Sequence, residues 1–528
     1  MAILAIALFA VSVQASLQER IDSIAAAGGG TLTLAAGTYR TGALFFKPGV
    51  NLHLEKGAEI VGTDDADGYP MRETRIEGET CLYYPALVNA DGCDGFTISG
   101  EGVIDGHGAN TWEEFWTKRA AARKKGGDFR NKDLMRPRVL YVSRSKNVNV
   151  SGVTFKNSKF WTTHFYDCED VLVHDCEIRA DILKDSRGRE LKGPSTDGID
   201  IDKCRRFVVR NVTFSVNDDG IAVKGGKGPW ADDYAKFPGN GPSTDVLIEN
   251  CTFRHPTHSA LTLGSECPGA SNVTMRGCVM DGCGNMLNLK MRTDTPQRYS
   301  NVLVEDCRGK CDTFFCARAW SQYHDAQGRS AAELKSFVDG VTLRNNVIDA
   351  ARVFNTKKKE TAFELSNLVL DGNIVNGKKV ESPNAAKGRN TIAVKVITRS
   401  RGWLFDTNDC WALAGIFRSV ELFTVPNDYI EDVVFRTEDV NSRGAAKPRS
   451  DNHDKTLRVS ATPREAEVSV SVSIGSFDAK ASKASGPSGL KGTAEVDMKG
   501  AFRIFAAELD EERPDIVPNL TFTYNYGF

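Results

Sequence analysis

The sequence predicts an all-β protein built as a right-handed parallel β-helix, with a short helix over its first turn and a β-rich C-terminal extension. A short pattern of alternating apolar positions recurs eight times between residues 148 and 375, with starts 23 to 39 residues apart. Alternation of this kind is typical of β-strands, and a period of this size is typical of a stacked array. Helix-period segments are scarce after residue 27, which disfavours leucine-rich and helical repeats.

The repeated segments share two inward positions, a polar pair and then two further inward positions. They begin at Val148, Val171, Phe207, Val246, Val273, Val302, Val341 and Leu368. Each turn of such a solenoid buries its inward residues on those of the next turn. The variation in repeat length predicts loops of different size on one face, where a binding groove would form.

The N-terminal region carries an export signal and then a cap. Residues 1–15 are an apolar run too short to span a bilayer, and they end at a Val-Gln-Ala site of the kind that signal peptidase cleaves. We therefore predict a signal peptide and export to the periplasm or beyond, with a buried first helix as the alternative. Residues 17–27 are predicted to form the helix that covers the open end of the solenoid. No later run is long and apolar enough to be a membrane span.

Two domains follow the signal peptide in this interpretation. The β-helix is expected over residues 16–385, beyond which the repeat fades. Residues 442–455 are polar and resemble a linker, while residues 457–474 and 492–526 alternate as strands do. Residues 386–528 are therefore predicted to form a separate β-rich extension.

Composition limits the possible partners and cofactors. The 528 residues carry 67 basic and 69 acidic side chains, a net charge of -2, which gives no general attraction to nucleic acid or to an anionic membrane. An acidic substrate would have to be met by a local cluster of cations. The 13 cysteines are odd in number, and Cys176, Cys251, Cys278 and Cys307 recur at one place in successive repeats. This favours a core ladder over a disulfide framework, and without paired Cys-x-x-Cys spacing we predict neither a metal nor another cofactor.

An aspartate and an Asp-Asp pair, about one repeat apart, are the candidate chemical groups. They are Asp197, in Ser-Thr-Asp-Gly-Ile-Asp, and Asp218 with Asp219, in Asn-Asp-Asp-Gly-Ile. Cleavage of a glycosidic bond needs one carboxylic acid to protonate the leaving oxygen and a second carboxylate to direct water or attack the sugar. Adjacent strand residues face opposite ways, so the pair shares a site only if the strand bends, which Gly220 permits. The alternative is a solvated turn.

Two further aspartates, Asp200 and Asp202, share one face of a regular strand, opposite that of Asp197. A bend at Gly198 would be needed to bring them to the groove. We expect them to have a structural role in the turn.

The ordered motifs resemble the polygalacturonases of glycoside hydrolase family 28. Besides the aspartates, they include Gly-Glu-Gly-Val-Ile-Asp-Gly-His-Gly at residues 100–108, His258 in His-Ser-Ala-Leu-Thr-Leu-Gly-Ser-Glu, and Lys-Met-Arg-Thr at residues 290–293. The resemblance covers residues 17 to 380 and implies a pectin-lyase-like solenoid. The sequence departs from the family pattern at Ser195, where the family usually has Asn, and in the inverted order of Lys290 and Arg292.

The resemblance also implies roles for these residues. Asp218 would be the general acid, protonated with the help of its two carboxylate neighbours, and His258 would orient or tune it. Asp197 and Asp219 would be the bases that hold the attacking water, and the anomeric configuration would invert.

Substrate contacts are predicted around these groups. Lys290 and Arg292, with Lys224 as a weaker candidate, would bind a uronate carboxylate through charge-assisted hydrogen bonds; the alternative is a set of exposed strand charges. Three tryptophans are candidate stacking platforms for a sugar ring, with core packing as the alternative. They are Trp161, Trp230 and Trp320.

The implied function is an exported hydrolase that cleaves α-galacturonosidic bonds of pectic polysaccharides from a chain end. The long segments 181–193 and 225–243 are candidate walls for the closed end of the groove. A rhamnogalacturonan hydrolase is the alternative within the family. A β-helical pectate lyase would need calcium on several acidic ligands, and a non-catalytic glycan-binding protein would bind without turnover.

Overall fold

A computed structural model describes residues 15–322, 324–356 and 363–380, together with short strand segments after residue 390. The predicted signal peptide lies outside the described residues except for Ala15. The chain divides into two compact units, Met1–Ser382 and Pro383–Phe528. The boundary expected at residues 385 and 386 stays a prediction.

The predicted N-terminal helix is present as α1, Leu17–Ala26. Ser16 caps it, since its hydroxyl accepts from the backbone N–H of Glu19 while the Glu19 carboxylate accepts from that of Ser16. Leu17 and Ile21 are buried in the same core as the first strands. The helix therefore covers the first turn of the solenoid through its apolar face.

The first unit is a parallel β-helix, which confirms the predicted fold class. One face is an 11-stranded sheet. Its strands are Gly30–Leu34, Val50–Leu54, Thr97–Gly100, Lys146–Ser151, Glu169–His174, Arg205–Arg210, Ser243–Glu249, Gly269–Arg276, Arg298–Glu305, Ser336–Arg344 and Phe363–Asp371. The eight predicted repeat starts, from Val148 to Leu368, pair with one another in register along this sheet.

Two further faces belong to one 19-stranded sheet and merge at its C-terminal end. The strands of one face are Gly37–Thr41, Ala58–Gly62, Val103–Asp105, Thr154–Lys156, Glu177–Arg179, Thr213–Ser215 and Thr252–Arg254. Those of the other are Leu44–Phe46, Val88–Asp91, Leu140–Ser143, Thr163–Tyr166, Ile199–Asp202, Asp219–Lys224 and Ser259–Leu263. Both faces continue in Val279–Arg292, Arg308–Trp320 and Val347–Thr356, and the sheet ends in Asn373–Val375 and Lys378–Val380.

The turns carry inserted elements that the repeat pattern did not predict. The largest is a 16-residue helix, α2, over Ala109–Lys124. Two hairpins pair Arg72–Ile76 with Glu79–Tyr83 and Leu183–Lys184 with Glu190–Leu191, and two short 3-10 helices span Ala66–Gly68 and Asn131–Asp133. No helix among the described residues is long and apolar enough to cross a membrane.

The core of the solenoid holds the predicted cysteine ladder. Cys176, Cys251, Cys278 and Cys307 are all buried. All twelve cysteines of the described residues carry free thiols. The thiols therefore act as small apolar side chains stacked between turns, as expected.

The second unit contains antiparallel strands. Four of them form one sheet: Lys480–Ala481, Gly492–Met498, Gly500–Ala506 and Leu520–Asn525. Three two-stranded ladders pair Thr391–Ile392 with Val420–Glu421, Arg458–Val459 with Val470–Ser471, and Glu467–Val468 with Ala484–Ser485.

Candidate active site

A cavity of about 350 Å³ opens on the solenoid face that contains the strands Ile199–Asp202, Asp219–Lys224 and Ser259–Leu263. Eight of the ten predicted site residues line it. They are Asp197, Asp218, Asp219, His258, Lys224, Lys290, Trp161 and Trp320. The sequence order of the motifs therefore translates into one shared cavity.

A local bend in two neighbouring strands turns the aspartates out of the core. Gly198 and Gly220 are both inward positions, because a Cβ on either would lie 2.7 Å from the ring of a core phenylalanine, Phe214 or Phe253. The isoleucine after each glycine is also buried in the core. Two consecutive inward residues send the aspartates before them towards the cavity, because the alternation of a regular strand is interrupted there. Neither glycine has a positive φ, so the position requires glycine for space.

Asp219 is held as an ionised carboxylate. It is 1% exposed, with Oδ2 2.5 Å from the Lys290 ammonium and Oδ1 3.2 Å from Nδ1 of His258. Burial alone would raise the pKa of Asp219, but Lys290 and His258 outweigh burial and hold that pKa well below its usual range. The same hydrogen bond raises the pKa of His258.

Asp197 is in the opposite electrostatic state. Its side chain is buried, and burial together with the carboxyls of Asp218 and Asp200 raises its pKa well above the usual value, against the opposing charge of Lys224. Burial also raises the pKa of Asp200 to about 7. Asp218 is half-buried, and its Oδ1 accepts from the backbone N–H of Asp219. The cavity thus combines an ionised carboxylate with a neighbouring carboxyl whose pKa is raised.

Asp200 also departs from its predicted place. Its side chain lies beside Lys224, a residue of the cavity lining, with Oδ1 3.4 Å from the Lys224 ammonium. Asp202 instead forms a buried network with Arg75 at 3.2 Å and His164 at 3.4 Å. The bend at Gly198 reverses the alternation that a regular strand would give.

Lys224 is an internal counter-ion. Its ammonium lies 3.2 Å from Glu266, 3.4 Å from Asp200 and 3.8 Å from Asp197, and 4.4 Å from the centre of the Trp161 ring. Burial would raise the pKa of Glu266, but Lys224 outweighs it and holds that pKa well below its usual range. Lys224 and Lys290 are both neutralised within the protein, which weakens the predicted role of either as a free clamp for a substrate carboxylate.

A family model described as "Glycosyl hydrolases family 28" matches residues 72–311, the part of the chain that builds most of this cavity. This matched segment, 240 of the 528 residues, is similar to glycoside hydrolase family 28. The resemblance seen in the motifs is thereby confirmed.

Two curated relatives show how far the similarity extends. The chain is 26% identical over 248 residues to a "Probable polygalacturonase" of Vitis vinifera. This alignment covers 46% of this chain and 45% of the Vitis protein. It is 24% identical over 338 residues to an "Endo-polygalacturonase" of Pectobacterium carotovorum subsp. carotovorum. That alignment covers 60% of this chain and 76% of the Pectobacterium protein. The chain therefore spans about half the length of the Vitis protein.

A solved structure supports the fold assignment. The structure of a hyperthermoactive exopolygalacturonase from Thermotoga maritima aligns with a TM-score of 0.53 at 22% identity. The alignment covers 69% of this chain and 87% of the Thermotoga chain. At this identity the similarity bears on the fold alone.

Two predicted substrate contacts lie outside the lining of this cavity, and their role stays a prediction. The guanidinium of Arg292 does not line the cavity, because it is buried in a two-pronged ion pair with Asp294 at 2.7 and 2.6 Å. Trp230 is also absent from the cavity wall; it is 40% exposed, with the guanidinium of Arg329 4.5 Å from its ring centre. Local partners occupy both side chains.

Several cavity residues were not predicted. Trp116 and Arg119 come from α2, Lys192 from the segment that follows the Leu183–Leu191 hairpin, and Glu77 and Glu266 from other turns. A Trp-x-x-x-Trp spacing at residues 112 and 116 was the available signal, since residues four apart share a helix face. Of the two segments proposed as walls, 181–193 contributes Lys192 and Gly193, and 225–243 contributes none of the lining residues.

One set of side chains has metal-ligating atoms close together. Single atoms of Asp218, Asp219 and His258 lie within 4.8 Å of one another. Both oxygens of Asp219 are already engaged, one by the Lys290 ammonium at 2.5 Å and one by His258. A divalent cation would add a second positive charge against Lys290, so the set suits proton transfer better than metal binding.

Proposed function

We propose that the protein is an exported hydrolase that cleaves α-galacturonosidic bonds of pectic polysaccharides, with inversion and from a chain end. The observation that carries the proposal is the convergence of Asp197, Asp218 and Asp219 with His258 in one cavity. Two of these carboxyls have pKa values displaced in opposite directions, that of Asp197 upward and that of Asp219 downward. Carboxyls with separated pKa values are the usual signature of an acid and a base in glycoside hydrolysis.

The acid in this proposal is Asp218. Asp218 lies beside Asp197, whose pKa its carboxyl helps to raise, and it is the more exposed of the two. In its protonated form it donates a proton to the glycosidic oxygen as the bond from that oxygen to the anomeric carbon breaks. His258, charged through its hydrogen bond with Asp219, stabilises the carboxylate that Asp218 leaves behind.

The base in this proposal is Asp219, aided by Asp197. Asp219 is ionised beside Lys290 and orients a water molecule, whose oxygen bonds to the anomeric carbon from the opposite side of the ring. The proton of the water passes to the carboxylates of Asp219 and Asp197. Water replaces the leaving sugar on the opposite face, so the configuration inverts.

Action from a chain end is supported by the wall on one side of the cavity. α2 and the 181–193 segment bind each other, because Trp116 Nε1 donates to Lys192 O at 2.6 Å and Ser186 N donates to the Glu113 carboxylate at 3.1 Å. Trp112 is fully buried against Ala180 and Leu191. A wall anchored in this way would stop a polysaccharide from passing through. Export rests on the predicted signal peptide.

The test is hydrolysis of polygalacturonic acid by the purified protein, with reducing ends and product sizes followed by chromatography. We expect saturated galacturonic acid monomer, lost in Asp218→Asn and unchanged in Asp349→Asn, a matched control on an exposed aspartate outside the cavity. Mixed oligomers would contradict action from an end. Unsaturated products would indicate a lyase, release from rhamnogalacturonan alone would indicate the alternative hydrolase, and binding without turnover would overturn the enzyme assignment.

A further inference from the structure

The cavity contains two cations that no carboxylate of the described residues neutralises. Four lysine or arginine side chains line it: Arg119, Lys192, Lys224 and Lys290. Lys224 and Lys290 are bound by acidic side chains at 2.5 to 3.8 Å. Among the described residues, Arg119 and Lys192 have no acidic partner within 4.0 Å. These two positive charges are therefore the ones available to an acidic ligand.

The Arg119 guanidinium has a buried N–H group without a hydrogen-bond acceptor among the described residues. Its guanidinium carbon lies 5.7 Å from the ring centres of both Phe115 and Trp116, one turn earlier on α2. Its Nε is buried and has no hydrogen-bond partner within the described part of the chain. A buried N–H of a charged group costs free energy when it is left unpaired, and a ligand carboxylate would remove that cost.

Lys192 is fixed to the same helix through its backbone. The indole N–H of Trp116 donates to Lys192 O at 2.6 Å, so the lysine and Arg119 both lie beside one tryptophan. Trp116 itself is 38% exposed and lines the cavity. An aromatic face flanked by two cations suits a sugar ring that bears a carboxylate, since the face covers the apolar side of the ring.

We propose that Arg119, Lys192 and Trp116 form a second uronate subsite, which binds the carboxylate of the sugar next to the one being cleaved. This subsite rests on the proposed function, because it uses the same cavity and the same polymer. It is assigned to a neighbouring sugar because the lysines beside the aspartates are already neutralised by Asp219 and Glu266. It gives the enzyme a requirement for two adjacent acidic sugars.

The experiment compares Arg119→Met, Lys192→Met and the double variant with Arg123→Met, a matched control on an exposed arginine of α2 that does not line the cavity. KM and kcat are measured on trigalacturonate at low and high salt. A charge-assisted hydrogen bond contributes about 1.5–3 kcal/mol, so KM should rise roughly 10- to 150-fold in Arg119→Met with little change in kcat. The rise of KM with salt should become shallower in the double variant, and Arg119→Lys should recover part of the affinity.

A second measurement separates this proposal from the proposed function and from misfolding. Digalacturonate is titrated into Asp218→Asn, with and without Arg119→Met, while tryptophan fluorescence and the melting temperature are recorded. Weaker binding at an unchanged melting temperature supports the subsite. If the wild-type enzyme cleaves trigalacturonate and Arg119→Met keeps the wild-type KM and binding, the subsite is wrong and the proposed function stands. If the wild-type protein cleaves no galacturonide, the proposed function itself fails.

Discussion

Replacement of Gly220 by alanine tests the strand bend on which the position of the aspartates depends. The added Cβ would lie 2.7 Å from Cδ1 and 2.8 Å from Cε1 of Phe253, whereas ordinary contacts begin at 3.4 Å. The ring would have to move by the difference, 3.4 - 2.7 = 0.7 Å. It has little room, because it is fully buried and stacked on Phe214 with ring centres 4.9 Å apart. Overpacking of this kind costs about 1–3 kcal/mol, and we expect the upper half of that range.

The same substitution should also reduce activity, because Gly220 directly follows Asp218 and Asp219. A displacement of about 1 Å in a positioned group can cost roughly 10²-fold in rate. Melting temperature and kcat are measured for Gly220→Ala and for the control Gly127→Ala, whose Cβ would lie 3.5 Å from its nearest neighbour. Adding Phe253→Leu should recover part of the loss. A Gly220→Ala enzyme with wild-type stability and kcat would refute the claim that the bend requires glycine at this position.

Two other predictions concern the buried charges. Lys290→Met leaves Asp219 buried without its ammonium, which should destabilise the fold by about 3–5 kcal/mol in urea unfolding and move the acid limb of the rate profile to higher pH. Adding Asp219→Asn should restore stability but not activity, and an additive double variant would contradict the pairing. Asp200 has a raised pKa of about 7, so its contribution to stability is full below about pH 4 and is lost as the pH rises through 7. Thermal unfolding from pH 4 to 8 should show a smaller decline for Asp200→Asn than for wild type or Asp349→Asn, and equal declines would contradict this assignment.

The solenoid could be predicted because its signal is local and repeated. Each inward residue, from Val148 to Leu368, recurs at a fixed place in its repeat, and the structure pairs them in register. α2 lacked such a signal, because only Trp112 and Phe115 of its sixteen residues are buried. Two buried residues among sixteen give no clear helical period, and Leu191, against which Trp112 packs, lies far along the chain.

The aspartates could be identified from their motifs, but their charge states could not. Lys290 is 71 residues from Asp219, and only the stacking of turns brings the two within 2.5 Å. The direction of the Asp200 side chain was predicted wrongly because the prediction assumed the side-chain alternation of a regular strand. The bend at Gly198 interrupts that alternation. The pairing of Arg292 with Asp294 had a local signal, since the two residues are only two positions apart.

The most direct test of the central claim is proton NMR of the first product released from polygalacturonic acid, recorded before the anomers equilibrate. The account predicts galacturonic acid monomer that appears first as the β-anomer, because water attacks the α-linked sugar from the opposite face. Appearance of the α-anomer first would contradict the assignment of Asp197 and Asp219 as bases for water. Oligomers without early monomer would contradict cleavage from a chain end.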